Sequence, residues 1–172
     1  IEVLLLHDRI DEWLVAHLTE FEGKKLQSIA KGDVQLEEET EEAKQEKEAK
    51  QETFAPFIEQ MTKILEAEVK EIRISDRLTE SPACLVADDN DMSGHLQRIM
   101  KEMGQDIPES KPVMEINPEH PLIAKIKNEQ SDAAFAAWSR LVFEQALLAE
   151  GAKLKDPSAF VKRVNELVTS LL

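Results

Sequence analysis

The segment DPSAFVKRVNELVTSLL sets Phe160, Val164, Leu167 and Leu171 at i, i+4, i+7 and i+11, the spacing of a single apolar stripe on a helix. Asp156 offers a capping carboxylate and Pro157 suits the first helical position, so a helix is predicted over 157–171. Before it, SDAAFAAWSRLVFEQALLAEG carries Phe135, Trp138, Leu141, Val142, Leu147 and Leu148 over more than one narrow stripe. Ser131 or Asp132 starts that helix and Gly151 stops it, over 131–150. Further helices are predicted at 119–127 and at 91–103, where Met92, Leu96, Ile99, Met100 and Met103 share one face and Gly104 serves as C-cap. From Val69 the period shortens. VKEIRISDRL, with Val69, Ile72 and Ile74, then PACLVADD and then KPVMEINP between Pro112 and Pro118 read as three short strands.

The first residues, IEVLLL, form a near-continuous apolar run that reads as a strand buried on both faces. Such a strand needs neighbours that the following residues do not all supply, so the chain is expected to be a piece of a longer one. Asp8 or Asp11 caps a short helix with Trp13, Leu14 and Leu18, and FEGKKLQSIA turns at Gly23 into a second strand. Residues 1–32 thus read as the end of an incomplete α/β segment. VQLEEETEEAKQEKEAKQE is polar all round and rich in helix formers, with pairs such as Glu46 and Lys50 each adding roughly 0.2–0.5 kcal/mol. It reads as a charged bridging helix over 33–52, with a disordered linker as the alternative. Pro56 is expected to interrupt the helix, with a second, amphipathic one following through Phe57, Ile58, Met61, Ile64 and Leu65. Residues 53–172 then form an α+β domain. It is a small mixed sheet of about three strands packed with helices, and a C-terminal helical hairpin is appended.

Composition narrows the partners. The chain has 172 residues, 42% of them hydrophobic, with 21 Lys and Arg against 35 Asp and Glu for a net charge of −14. Nucleic acid and anionic membrane surfaces would be repelled at long range, so neither is expected as a partner. A single cysteine, Cys84, makes no internal disulfide, and the cytoplasm is the expected compartment.

Candidate chemistry is thin. Asp89, Asp91, Ser93 and Gly94 occupy positions one, three, five and six of a calcium loop, but position twelve is Met100 where a bidentate Glu is required. His7, His17, His95 and His120 show no ligand spacing among themselves. Cys84 lies in an apolar strand and reads as core rather than nucleophile. Five glycines, none in a GxxxxGK[ST] or GxGxxG pattern, leave little from which to build a phosphate cradle. The chain is expected to be no enzyme and to hold no metal or cofactor.

Surfaces remain. Met92, Met100 and Met103 are three of five methionines, and their shared face suits either core packing or an adaptable apolar binding surface. Trp13 offers the same choice. The terminal hairpin has apolar residues on too many sides, and burying the stripe of its last helix is worth on the order of 6–12 kcal/mol at roughly 1.5–3 per side chain. A second copy, forming a two-fold four-helix bundle, would cover the excess without leaving a fresh apolar patch. Phe135, Trp138, Leu141, Val142, Leu148, Phe160, Val164, Leu167 and Leu171 are the expected dimer interface.

Four ordered segments, IEVLLLHDRIDEWLVAHLTEFEGK, RISDRLTESPACLVADDNDMS, EINPEHPLIAKI and EQALLAEGAKLKDPSAFVKRVNELV, resemble the C-terminal third of the bacterial HtpG branch of the heat shock protein 90 family of molecular chaperones. The resemblance covers nearly the whole chain and is weakest in the charged helix and near Ser110. It implies that residues 1–32 close a middle domain, that the rest is a C-terminal dimerisation domain, and that ATP and magnesium bind in an N-terminal domain outside this chain. It also implies contact with unfolded or partly folded clients near the domain junction, through Glu12 and Trp13 of DEW and through Met92, Leu96, Ile99 and Met100, with Met103 on the same face. Ala16 departs from the polar Asn frequent there in the family, and VTSLL is not the acidic ending that recruits tetratricopeptide cochaperones. A dimerising scaffold without client contact is the alternative.

Overall fold

The computed structural model describes residues 3–6, 8–26, 41–88, 97, 99–101, 103–105 and 110–171, with the helical backbone alone at 9, 12, 13, 16 and 41–48. The three predicted strands form one sheet. They are β3 (Glu71–Ile74), β4 (Ala83–Val86) and β5 (Val113–Ile116), and β5 lies between the other two, parallel to β3 and antiparallel to β4. The register aligns Ile72, Met114 and Leu85 in one cross-sheet row and Ile74, Ile116 and Ala83 in the next. Side chains alternate along a strand, so both rows share a face, and all six residues are buried in one core.

Helices cover that core. In α2 (Glu41–Leu65), Phe54, Phe57, Met61 and Leu65 are buried. Short α3 (Pro121–Lys127) contributes Ile123 and Ile126. Helix α4 (Asp132–Ala149) contributes Phe135, Trp138, Leu141, Val142, Phe143 and Ala146, and α5 (Pro157–Thr169) contributes Leu167. Phe57 stacks edge-on against both Phe54 and Phe135, at 5.9 and 5.7 Å between centroids. Helix ends are satisfied as the sequence predicts. Ser131 Oγ accepts from Ala134 N at 3.3 Å, Asp156 Oδ1 accepts from Ala159 N at 2.9 Å, and Pro157 opens α5. Gly151, at φ 71°, ends the α4 turn so that Ala152 N can donate to Leu147 O. The last carbonyls of α2 receive cations: Arg140 Nη2 donates to Ile64 O, and Lys111 Nζ donates to Glu66 O at 2.7 Å.

Two sequence expectations need correction. Pro56 does not interrupt α2, which runs through it as one helix. The missing N–H and the ring clash cost about 3 kcal/mol in a free helix, but Phe54 and Phe57 anchor the chain in the core on either side while the proline stays exposed. Val3–Leu6 lie in no strand and are exposed, and no strand among the described residues pairs with them.

The chain divides into two compact units: Ile1–Leu36 with Ala87–Ser110, and Glu37–Val86 with Lys111–Leu172. The sheet, its core and the terminal hairpin belong to the second. The first contains α1 (Arg9–His17), which starts at Asp8, whose N–H donates to the Asp11 carboxylate at 3.0 Å. A two-residue hairpin follows, β1 (Glu20–Phe21) against β2 (Lys24–Lys25). Glu22 and Gly23 both have positive φ, as a turn matching the right-handed strand twist requires. Residues 99–101 are helical and Gly104 ends them at φ 79°, with Gln105 N donating to Met100 O.

Candidate interaction surfaces

The sheet face turned away from the core holds the buried charge. Register places Arg73, Glu115 and Cys84 side by side across β3, β5 and β4. Glu115 is the only buried charged residue among those described, and every part of its carboxylate is occupied. Oε1 accepts from Arg73 Nη2 at 2.9 Å and Nε at 3.1 Å, while Oε2 accepts from Arg77 Nε at 2.9 Å and Ser75 Oγ at 3.3 Å. Cys84 Sγ stands 3.8 Å from the same Oε2. Burial and the neighbouring carboxylate push the Cys84 thiol up to about 11, so it is protonated near neutral pH and is no nucleophile there. This cluster ties three strands together; it has no unused acid, base or nucleophile to offer a substrate.

The hairpin differs from expectation. Phe135, Trp138, Leu141 and Val142 lie inside the chain's own core, and so does Leu167, at 5% exposure. Each is almost wholly covered within the chain. The cause is that α4 touches α2, α3, β4 and α5 together, so most of its apolar residues are covered within the chain. Phe160 and Val164 pack half-buried on the same core, and Arg163 pairs with Glu144 to hold α5 on α4. Leu148 and Leu171 are exposed, as an interface needs.

The outward apolar surface of α5 is a second stripe. Val161 and Val168 are 55% and 53% exposed, two turns apart. An open groove runs along this side, lined by Pro157, Ser158, Val161, Lys162, Asn165 and Glu166. The pair was missed because the Phe160–Leu171 stripe is stronger; the i, i+7 spacing of two valines was the available signal.

In the other unit, Met92 and Leu96 lie outside the described residues. Ile99 is buried, Met100 half-buried, and Met103 65% exposed, so the described part of the methionine face is only partly open. Glu12 and Trp13 are on α1, but their side chains are outside the description. The side of α1 that is described exposes Ile10 and Leu14, which with His17 and Leu18 line a shallow apolar strip. Phe21 is exposed as well. Among the described residues no group of His, Cys, Asp and Glu is placed to hold a metal, and no helix is long and apolar enough to cross a membrane.

Surfaces, then, are what this α+β chain presents. Comparison with known proteins gives the class: the model of the family described as Hsp90 protein matches residues 1–172, and the chain belongs to the Hsp90 family. It is 54% identical over 168 residues to the Chaperone protein HtpG of Coxiella burnetii, covering 98% of this chain and 26% of that protein. Against the protein of the same name from Nitrosomonas eutropha it is 56% identical over 171 residues, with 98% and 26% covered. Against that of Magnetococcus marinus it is 52% identical over 174 residues, with 98% and 27% covered. The chain therefore spans about a quarter of the length of the curated relatives it matches.

Proposed function

We propose that this chain is the dimerisation and client-contact region of a molecular chaperone, and that nucleotide is bound and hydrolysed in a part of the protein outside it. The observation that carries the reading is the two-sided α5: one stripe seals the core and a second, at Val161 and Val168, stays open with Leu148 and Leu171. An apolar face left over after folding is a contact surface for something else, and a second copy closes it symmetrically. Dimerisation here would hold two full-length chains at high effective concentration, so that distant domains can meet. Of the residues expected at the interface, Leu148 and Leu171 are retained, with Val161 and Val168 added.

Client contact is supported by the other unit, where Ile10, Leu14, Phe21 and Met103 are all exposed. Flexible and aromatic side chains of this kind bind diverse apolar segments without one fixed geometry, while the charge of −14 keeps the protein soluble. The scaffold reading, dimerisation without client contact, is favoured at one place by the burial of Ile99. Titration with an unfolded model protein, read by crosslinking from Met103 and Leu14, separates the two. Saturable crosslinks lost in Leu14→Asp and Met103→Asp variants support client contact; no crosslinks from a dimeric chain support the scaffold.

A further inference from the structure

We propose that the half of α2 before Pro56 is a strap held down by charge. The Lys50–Glu119 ion pair, with Lys127 over the Phe54 ring, keeps residues 41–53 helical, and its loss shortens α2 to a helix that starts at Pro56. Lys50, Phe54, Phe57, Met61 and Leu65 fall at i, i+4, i+7, i+11 and i+15, on one face of the helix. All but Lys50 are buried, so the stripe that docks α2 on the core ends at Phe54. Residues 49–53 are all exposed. One turn beyond Phe54 the same face is continued by a cation, and Lys50 Nζ meets Glu119 Oε1 at 3.0 Å. Lys127 Nζ stands 3.9 Å from the centre of the Phe54 ring, over the last residue that anchors the strap.

Glu119 is firmly placed, and this half of the helix is not. Glu119 stands on the turn between β5 and α3, where its N–H donates to Asn117 Oδ1 at 3.0 Å. Asn117 is buried and donates from Nδ2 to Thr79 O and from its backbone N to Pro82 O. Helix α3 follows, with Ile123 and Ile126 fully buried. An ion pair with one partner already held in place loses less freedom on forming. Pro56, by contrast, has no N–H to give the carbonyl of Glu52 and its ring crowds that carbonyl, so the turn over 52–56 is the weakest point of α2. An isolated helix of about a dozen residues is marginal in water, and proline suits the first position of a shorter one. Two states follow: a rod running from Glu41, and a helix starting at Pro56 with a loose charged tether before it. Each exposed contact shifts such a balance by only about two- to fivefold, which decides it where the two states lie close. Residues 1–36 join this unit through the strap. Its state therefore sets whether they are joined by a stiff lead or a flexible one, and ionic strength sets the state.

Amide hydrogen exchange of the whole chain tests this, with residues 46–53 and 57–65 compared in the same sample. Residues 46–53 are expected to be protected in about 0.01 M salt and to lose about threefold of that protection in about 1 M salt, with 57–65 unchanged. Salt also screens pairs inside the helix, such as Glu46 with Lys50, so a substitution outside α2 is the sharper probe. Glu119→Gln is expected to give the same loss of about threefold in about 0.01 M salt, and the exchanged pair Lys50→Glu, Glu119→Lys to restore protection. Lys127→Gln is expected to lower it about twofold. Pro56→Ala mends the weak turn and is expected to leave 46–53 insensitive to Glu119→Gln. Protection that is unchanged in Glu119→Gln, absent from 46–53 in the unsubstituted chain, or lost equally across 57–65 overturns the strap. A Pro56→Ala chain as sensitive to Glu119→Gln as the original overturns the break at Pro56.

Discussion

Helices α4 and α5 are neighbours in one hairpin and both are capped by a side-chain oxygen at the N-terminus, yet they do opposite things with their apolar residues. Seven residues of α4 are buried, against one of α5, Leu167. Helix α4 runs through the middle of the domain, touching two helices before it in sequence, one strand and the helix after it, so residues on several sides find cover. Helix α5 is held by Phe160, Val164, Leu167 and the Arg163–Glu144 pair, and Val161 and Val168 on another side of it are exposed among the described residues. Excess hydrophobicity all round a helix thus marks a central helix, while a second stripe on a peripheral one marks a contact surface.

Substitutions can break this contrast. Phe135→Ala in α4 should remove about 3–5 kcal/mol of stability in urea unfolding, since a buried ring packed on Phe57 leaves a cavity. Association should then be lost only along with the fold. Leu167→Ala, on the inner side of α5, is expected to cost about 2–5 kcal/mol, nearer the lower figure because a peripheral helix can settle into the gap. If Leu167→Ala instead dissociates a dimer whose unfolding midpoint is unchanged, the two stripes of α5 have been assigned the wrong way round. Removing either cap, by Ser131→Ala or Asp156→Ala, should cost about 1 kcal/mol, and the two values should be similar because in both helices the cap oxygen accepts from the N–H three residues on.

The smallest effect is expected at the thiol. With Cys84 pushed up to about 11, alkylation of the folded chain at pH 8 should be slow, since only about one thiol in a thousand is ionised, and should rise as pH approaches 11. A cysteine placed at exposed position 67 should label at the rate of an ordinary thiol under the same conditions. Fast labelling of Cys84 at pH 8 would show that the Glu115 cluster does not shield it.

Much of the fold was legible in the sequence, and the reasons are local. Strand runs around Ile72, Leu85 and Met114 are β-rich, the latter two with proline boundaries, and the caps Ser131 and Asp156 announce themselves by residue type. What failed needed tertiary information. Pro56 in a free peptide ends a helix, and only the anchoring of Phe54 and Phe57 on both sides keeps α2 continuous. The apolar run at Val3–Leu6 has strand character but no pairing neighbour among the described residues. For the interface, periodicity gave the stronger stripe of α5 and could not say whether α4 or a second copy covers it; that depends on where α4 lies. The Arg73–Glu115–Arg77 cluster was not foreseen at all, because the residues meet only through the pairing of β3 with β5, across about forty positions of sequence.

The most direct test is sedimentation equilibrium of the unsubstituted chain and of a Val161→Lys, Val168→Lys double variant at micromolar concentration, with unfolding followed on the same samples. Twice the chain mass is expected for the first and a single chain mass for the second, with the double variant still folded and unfolding cooperatively because both positions are exposed within one chain. A monomeric unsubstituted chain, or a double variant that stays dimeric, would contradict the account.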